Sequence, residues 1–177
     1  MLDTVDVIRP IEGEIPRHVV AYEPDTLVDF SADEGYFDLG EVYDTTGRLT
    51  TVVNFPEAKY TYVELWTAEC ASCTAQIPYL DSHYQRTFPG GLGFISVHAD
   101  DGDDPTDWLA ALPQRSHKWS NYMVPFGRDS YFDRQYNLRL LPRYLIIDAT
   151  GRIVVRYAPR PTDTRLDDVL EQLYGSG

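Results

Sequence analysis

The chain has 177 residues, 43% of them hydrophobic and 24% charged, which is the size and balance of one ordinary globular domain with or without a short extension. Its formal net charge is −13, and a field of that sign repels phosphate backbones and anionic membrane surfaces, which disfavours nucleic acid as a partner. No apolar run approaches the length of about 18 residues that a membrane-spanning helix needs, so no span is predicted.

Residues 1–25 carry several prolines and little periodicity, and we expect them to form an extension or linker with one strand at residues 18–22. Residues 26–177 are then expected to form a single domain. In its first part, residues 36–39 and 49–53 are strand-like runs on either side of a Thr-Thr-Gly turn.

The next elements alternate between strand and helix. Residues 61–66 are β-branched and aromatic, which predicts a central strand, and residues 92–98 predict a second buried strand. Between them, apolar residues recur at steps of three and four positions, which predicts an amphipathic helix that Pro-Gly-Gly at 89–91 should end. These apolar residues are Ile77, Leu80, Tyr84 and Phe88.

The second half of the chain adds three helices and a hairpin. Asp104 before Pro105 is typical of a helix start, because a capping carboxylate precedes a proline at the first helical position. Another short helix is predicted at residues 130–136. Residues 144–148 and 152–157 flank Ala-Thr-Gly, which indicates a hairpin. Apolar residues on one face predict a terminal helix. They are Leu166, Val169, Leu170 and Leu173.

The order β–α–β–α–β–β–α predicts an α/β fold. Strands joined through helices imply parallel pairing, and the late hairpin adds antiparallel pairing. We therefore expect a central mixed β-sheet flanked by helices on both faces.

Cys70 and Cys73 form a C-x-x-C pair between the strand at residues 61–66 and the helix that follows it. A cysteine at a helix amino terminus feels the positive end of the helix dipole and unpaired N–H groups, which favour the thiolate. A thiolate can attack a disulfide, and a second cysteine one turn later is placed to resolve the mixed disulfide. Two cysteines are too few for a disulfide scaffold or a structural zinc site, so we interpret the pair as chemical, with a chance pair of buried cysteines as the alternative.

Residues 63–73, an apolar strand with an acid and an aromatic residue followed by C-x-x-C, resemble the thioredoxin superfamily. Pro78 lies where that family has a helix-kinking proline, and Leu141-Pro142 precedes a strand where the family keeps a cis-proline facing the disulfide. Residues 136–154 resemble the carboxy-terminal half of the TlpA/ResA branch of bacterial envelope oxidoreductases. The resemblance implies a thioredoxin-like fold with an N-terminal strand or hairpin extension, and thiol–disulfide oxidoreductase activity on protein disulfides.

Carried over residue by residue, the resemblance implies that Cys70 is the attacking thiol and Cys73 the buried resolving thiol. Glu64, six residues before Cys70, lies where the family has a buried acid that manages the proton of the second cysteine. A carboxyl group inside an apolar strand favours its neutral form, which suits general base work near neutrality. A solvated, edge-facing glutamate is the alternative.

The resemblance also implies a substrate-binding set of Trp66, Leu141 and Pro142. Pro142 would fix the backbone opposite the sulfurs, so that an incoming chain can pair with Leu141 as an added strand, and an ordinary turn proline is the alternative. Trp66 is expected to pack beside the site, although core filling explains it equally well. We expect no metal ligand and no cofactor.

The chain departs from the family pattern at three places. Glu69 precedes Cys70 where the family often has tryptophan, and its carboxylate opposes the effect of the helix dipole. Gln76 stands where the TlpA/ResA branch often has glutamate, which removes one proton-handling acid. Ala71 and Ser72 replace the familiar Gly-Pro between the cysteines, and the sequence therefore predicts no direction of electron flow.

Other sites fit the residues less well. Thr67-x-x-Cys70 is half of a peroxiredoxin motif, but Val63 stands where that motif has a proline. His83 or His98 could join the cysteines in a metal-delivery site, although both are expected to be ordinary surface or loop-edge residues. An acid cluster lacks the spacing of an EF-hand calcium loop and is interpreted as a solvated loop with a helix cap. Its members are Asp100, Asp101, Asp103 and Asp104.

The expected partners are a disulfide- or dithiol-containing protein and a redox donor or acceptor. The resemblance implies a location in the bacterial cell envelope. Residues 1–6 carry acids where a signal peptide carries bases, so we expect the leader or anchor to be absent from this chain. A cytoplasmic location is the alternative. The main functional alternative is a redox-inactive thioredoxin-like binding module of a larger envelope protein, and a peroxiredoxin-type peroxidase is a lesser one.

Overall fold

The computed structural model describes residues 19–20, 28–29, 35–99, 101–115, 118–127 and 130–175. Within them the strands are β1 (Val19–Val20), β2 (Val28–Asp29), β3 (Val42–Tyr43), β4 (Leu49–Thr50), β5 (Tyr60–Trp66), β6 (Leu92–Ala99), β7 (Ser120–Val124), β8 (Arg143–Asp148) and β9 (Ile153–Val155). The helices are α1 (Ala71–Tyr84), α2 (Thr106–Ala111), α3 (Tyr131–Tyr136) and α4 (Arg165–Gly175), with 3-10 turns at Leu112–Gln114 and Leu138–Leu140.

β1 and β2 pair antiparallel in a small sheet of their own. The predicted strand at residues 18–22 contains β1, and its other residues lie outside the described ones. The same holds for the rest of the predicted extension, residues 1–25.

The other seven strands form one mixed sheet in the order β4-β3-β7-β6-β5-β8-β9. β5 is parallel to β6 and antiparallel to β8, and β6 is parallel to β7. Parallel neighbours need a crossover, which α1 supplies between β5 and β6 and α2 supplies between β6 and β7. The predicted mixed sheet and the central place of β5 are therefore confirmed.

Alternate residues of β5 face opposite sides of the sheet, as the pleat of a strand requires. Val63 and Leu65 belong to an apolar cluster that also contains Phe132 and Tyr136 of α3. One side of the sheet is thus covered by α3.

The opposite side of β5 meets the remaining helices. Tyr62 packs in a cluster with Leu80 of α1 and with apolar residues of α4. Trp66 packs in a second cluster with Trp108 of α2. Helices therefore cover both faces, as predicted, and Glu64, between Tyr62 and Trp66, projects toward the side that carries α1.

The strand predictions omit the two-residue strand β3, and they omit β7, which lies between β3 and β6. Its residues 121–124 are all buried, so the segment shows no alternation of polar and apolar side chains that would mark it as a strand.

The predicted strand at residues 36–39 is wrong. Phe37 and Leu39 are buried in the alternating pattern of a strand, but only Tyr36 pairs with another segment, as an isolated bridge to Arg152. Gly40 follows with a φ of 61°, a left-handed conformation that interrupts extended structure, and regular pairing starts at β3.

The helix predictions are confirmed with one change of length. Helix α1 ends at Tyr84, so Phe88 lies beyond it, yet the Phe88 ring stacks on Tyr174 of α4 with centroids 4.7 Å apart. The Asp104 carboxylate accepts the Thr106 N–H at 2.9 Å just before α2, but the N-cap residue is Pro105, which has no side-chain cap hydrogen bond. The prediction of Asp104 as the cap and Pro105 as the first helical residue is therefore one residue too early. No helix among the described residues has the length and apolar character needed to cross a bilayer.

Candidate active site

Cys70 and Cys73 lie where the chain passes from β5 to α1. Cys70 is the N-cap residue of α1, and its sulfur accepts the Cys73 backbone N–H at 3.1 Å. The two sulfurs are joined in a disulfide with Cα atoms 5.2 Å apart. A sulfur at this position receives a backbone N–H and the positive end of the helix dipole, both of which favour a thiolate once the bond is reduced.

The two sulfurs differ in access. Cys73 is 0% exposed and packs with Trp66 and Trp108, whereas Cys70 is partly exposed. Cys70 lines an open groove of about 570 Å³ beside the end of β5. A partner can therefore reach the first sulfur from this groove.

The wall of the groove comes from several segments of the chain. Its lining includes Thr67, Glu69, Cys70, Asp133, Arg139 and Leu141. The Leu141–Pro142 peptide bond is cis, as the family resemblance implied, and Leu141 also packs against the cluster that contains Trp66 and Cys73. The structure thus brings Leu141, the start of β8 and the cysteine pair to one end of the sheet.

Glu64 is 1% exposed, so the alternative of a solvated, edge-facing glutamate is excluded. Ser96 of β6, its register partner, donates its hydroxyl to Glu64 Oε2 at 2.7 Å. The same oxygen is ion-paired with the guanidinium of Arg115, whereas Oε1 has no hydrogen-bond partner among the described residues. Among the described residues, the carboxyl group is therefore bonded through Oε2 alone.

Arg115 is a buried site residue that the sequence does not reveal. It follows the 3-10 turn Leu112–Gln114, its side chain is 5% exposed, and its Cζ lies 3.8 Å from the centroid of the Trp66 ring. It is 51 positions from Glu64, and nothing in the intervening residues marks it as the partner of that carboxylate. Only the folded chain brings a cation to Glu64.

Two tyrosines stand near the carboxylate on the same side of the sheet. Tyr144 lies opposite Glu64 in the β5–β8 register and stacks on Tyr62 with centroids 5.1 Å apart. Burial, with a smaller contribution from the negative charge of Glu64, raises the pKa of both phenols well above 10.0. Both rings therefore stay neutral near physiological pH.

The residues that depart from the family pattern lie at different distances from the groove. Glu69 is exposed on the groove, and the Ser72 hydroxyl lies 3.4 Å from Cys70 Sγ. Gln76 is buried and accepts the Thr162 N–H at 3.2 Å, so it ties α1 to the loop before α4 instead of facing the groove.

The metal interpretations find little support in the described residues. His83 bonds the Pro161 carbonyl at 2.9 Å and lies ten residues beyond Cys73, which is about 15 Å along a helix. His98 accepts the Ala68 N–H at the end of β6. Asp100 of the acid cluster lies outside the described residues, and the described ones contain no group of three or more metal-binding side chains.

The sheet order, the cis-proline loop and a bonded C-x-x-C pair at the start of α1 define the class, which is the thioredoxin-fold thiol–disulfide oxidoreductases. The Redoxin family model matches residues 25–173. The chain belongs to the Redoxin family, and within the thioredoxin superfamily it is a TlpA/ResA-like protein.

Individual relatives are distant. The chain is 21% identical over 158 residues to the thiol-disulfide oxidoreductase ResA of Bacillus cereus, covering 82% of this chain and 88% of that protein. ResA of Bacillus anthracis is 21% identical over 150 residues, or 81% and 83% of the two chains.

Solved structures share the fold. A putative thiol-disulfide oxidoreductase from Bacteroides vulgatus, solved in solution, has a TM-score of 0.61 at 20% identity over 82% of this chain and 94% of its own. A domain of a possible thiol-disulfide isomerase from Cytophaga hutchinsonii has a TM-score of 0.58 at 21% identity over 76% and 88%.

Proposed function

We propose that this protein exchanges disulfides with partner proteins through a mixed disulfide on Cys70, which Cys73 then resolves. The observation that carries the proposal is the unequal access of the two bonded sulfurs, because Cys70 lines an open groove at the start of α1 and Cys73 is fully buried behind it. This difference in access supports Cys70 as the sulfur that meets a partner.

Reduction of a partner disulfide takes two successive thiolate attacks. The Cys70 thiolate attacks one sulfur of the partner disulfide, forms the mixed disulfide and displaces the other partner sulfur as a thiolate. Cys73 gives up its proton and attacks Cys70 Sγ, which restores the Cys70–Cys73 bond and releases the second partner sulfur as a thiolate. Oxidation of a partner dithiol runs through the same steps in reverse.

Glu64 is proposed to accept the proton that Cys73 loses. It projects from β5 toward the side of the sheet that carries α1, two residues before the Trp66 that packs against Cys73. A buried carboxylate with one unoccupied oxygen is a suitable acceptor, directly or through one water molecule.

Trp66, Leu141 and Pro142 are proposed to bind the partner. Leu141 lines the groove beside Cys70 and belongs to the cluster that contains Trp66. An extended partner segment lying along Leu141 could add its main-chain hydrogen bonds as a short extra strand, with its sulfur over Cys70. Pro142, next in the chain and buried, would fix the course of that backbone.

The cellular setting is proposed from the relatives. Similarity to ResA, together with the TlpA/ResA pattern of residues 136–154, supports a bacterial cell envelope location and proteins as the disulfide substrates. A redox donor, when the protein reduces its partner, or a redox acceptor, when it oxidises its partner, must then return the Cys70–Cys73 pair to its starting oxidation state after each exchange.

A trapping experiment tests the proposal. In a Cys73→Ser variant the mixed disulfide on Cys70 cannot be resolved, so a model protein containing a disulfide should accumulate as a covalent adduct that dithiothreitol releases. Cys70→Ser is the matched control and should form no adduct, since its remaining thiol is buried. Equal trapping by both variants, or by neither, would show that Cys70 is not the attacking group.

A further inference from the structure

Arg115 is a buried charged residue to which the exchange steps give no role. Its guanidinium is ion-paired with Glu64 and stacks on the Trp66 ring, and Trp66 packs with Cys73. One cation therefore touches both the carboxylate proposed to take the Cys73 proton and the ring that contacts that cysteine.

The ion pair decides which form of Glu64 the site favours. A carboxyl group withdrawn from water without a partner holds its proton, whereas an adjacent guanidinium stabilises the anion. Arg115 and Ser96 both bond Oε2, and Oε1 is left without a partner among the described residues. The arrangement thus leaves one ionised oxygen available.

We propose that Arg115 is a positioning residue for the resolving step, because it keeps Glu64 ionised and turned so that Oε1 can accept the Cys73 proton. The inference rests on the proposed function. In this step Oε1 takes the proton from Cys73 Sγ, Cys73 bonds to Cys70 Sγ, and the partner sulfur leaves as a thiolate. Glu64 then returns the proton to solvent.

Other titratable groups lie near this ion pair. Beside Glu64 they are Arg115 after α2, Tyr62 on β5 and Tyr144 on β8, and beside Trp66 they are Cys73 on α1 and His98 on β6. The buried tyrosines stay neutral, because their pKa values lie well above 10.0. His98 uses Nε2 to accept the Ala68 N–H, which requires that nitrogen to be unprotonated.

Two-phase kinetics separate attack from resolution. The reduced protein is mixed with an aromatic disulfide that releases a coloured thiolate, first when Cys70 attacks and again when Cys73 resolves. In the wild-type protein the second phase should follow directly on the first. In Arg115→Met the second phase should slow about tenfold or more, because general base catalysis of the resolving step is weakened, while the first phase changes less than about twofold.

Matched variants test whether Arg115 acts on the second phase through Glu64. Arg115→Lys keeps a cation and should retain most of the wild-type rate of the second phase. Glu64→Gln should slow the second phase, and adding Arg115→Met to Glu64→Gln should slow it no further. Arg143→Met is the control, because it removes another buried guanidinium stacked 3.8 Å from a ring, that of Tyr157, on the opposite side of the sheet.

The outcomes separate the two proposals. Absence of the first phase in the wild-type protein would refute the proposed function itself. A normal first phase with an unchanged second phase in Arg115→Met, or a slowing by Arg115→Met that persists without Glu64, would refute the role of Arg115 alone. If Arg115→Met fails to fold, carbon-13 NMR of the Glu64 carboxyl in the wild-type protein decides, since a protonated Glu64 at neutral pH would also overturn the inference.

Discussion

The Glu64–Arg115 ion pair makes a stability prediction that does not depend on redox activity. Both side chains are almost fully buried, at 1% and 5% exposure, so removing one partner leaves the other charge in a poorly solvated place. Such a change costs about 3–5 kcal/mol, whereas replacing both charges by apolar groups of similar volume is often nearly neutral. Glu64→Leu and Arg115→Met should therefore each lower the free energy of unfolding by about 3–5 kcal/mol.

The double variant should be far more stable than the sum of the two losses suggests. Its residual cost comes mainly from the Ser96 hydroxyl, which loses its acceptor and costs about 1–3 kcal/mol. We expect a coupling energy of about 3 kcal/mol or more between the two sites. Urea unfolding of the oxidised protein measures all four corners of the cycle. Additive losses, within about 0.5 kcal/mol, would show that the two charges do not stabilise each other.

Three further predictions concern polar groups outside the ion pair. Tyr144→Phe should leave stability unchanged or raise it by about 1 kcal/mol in urea unfolding, because the buried hydroxyl has no partner among the described residues; a loss above about 1 kcal/mol would contradict this. Gln76→Ala should lower the free energy of unfolding by about 1 kcal/mol, since it removes the acceptor of the Thr162 N–H. The control Gln76→Glu keeps an acceptor oxygen and should lose less stability than Gln76→Ala. Asp163→Asn should destabilise at neutral pH, because the hydrogen bond from Arg165 lowers the folded-state pKa of Asp163 below its ordinary value of 3.8. The stabilisation that a lowered folded-state pKa gives is fully present above the ordinary value of 3.8 and is lost as pH falls through the folded-state pKa, so thermal melts of the two proteins should converge at acid pH below 3.8; an unchanged difference there would argue against a charge effect.

The sequence predicts those parts of the site that lie close together in the chain. The C-x-x-C pair between a strand and a helix is a local pattern, and its outcome, a disulfide at the N-cap of α1, follows from spacing and the helix start. The burial of Glu64 agrees with its place in an apolar strand, but that strand alone left a solvated, edge-facing glutamate open, and the buried acid was implied by the family resemblance. The prediction of the cysteine pair uses only the residues beside it.

The remaining parts depend on contacts between distant segments. Arg115 meets Glu64 only because β6 and the α2 segment return the chain to the same side of β5. A single arginine after a short helix belongs to no repeating pattern that would predict its burial, and most arginines are exposed. The errors at β7 and at residues 36–39 have the same cause. Whether a segment forms a strand depends on pairing with a distant segment, and the local pattern of polar and apolar residues does not show that pairing.

The register of β5 links the stability of the fold to its chemistry. Tyr62, Glu64 and Trp66 lie on one face in order, so the strand passes from an apolar core, through a buried ion pair, to the packing around Cys73. A slip of one residue would turn Glu64 into the apolar side that holds Val63 and leave Arg115 without its partner. The same hydrophobic pattern that fixes the strand thus fixes the carboxylate, which means that substitutions in the β5 core should disturb the resolving step even when they lie far from sulfur.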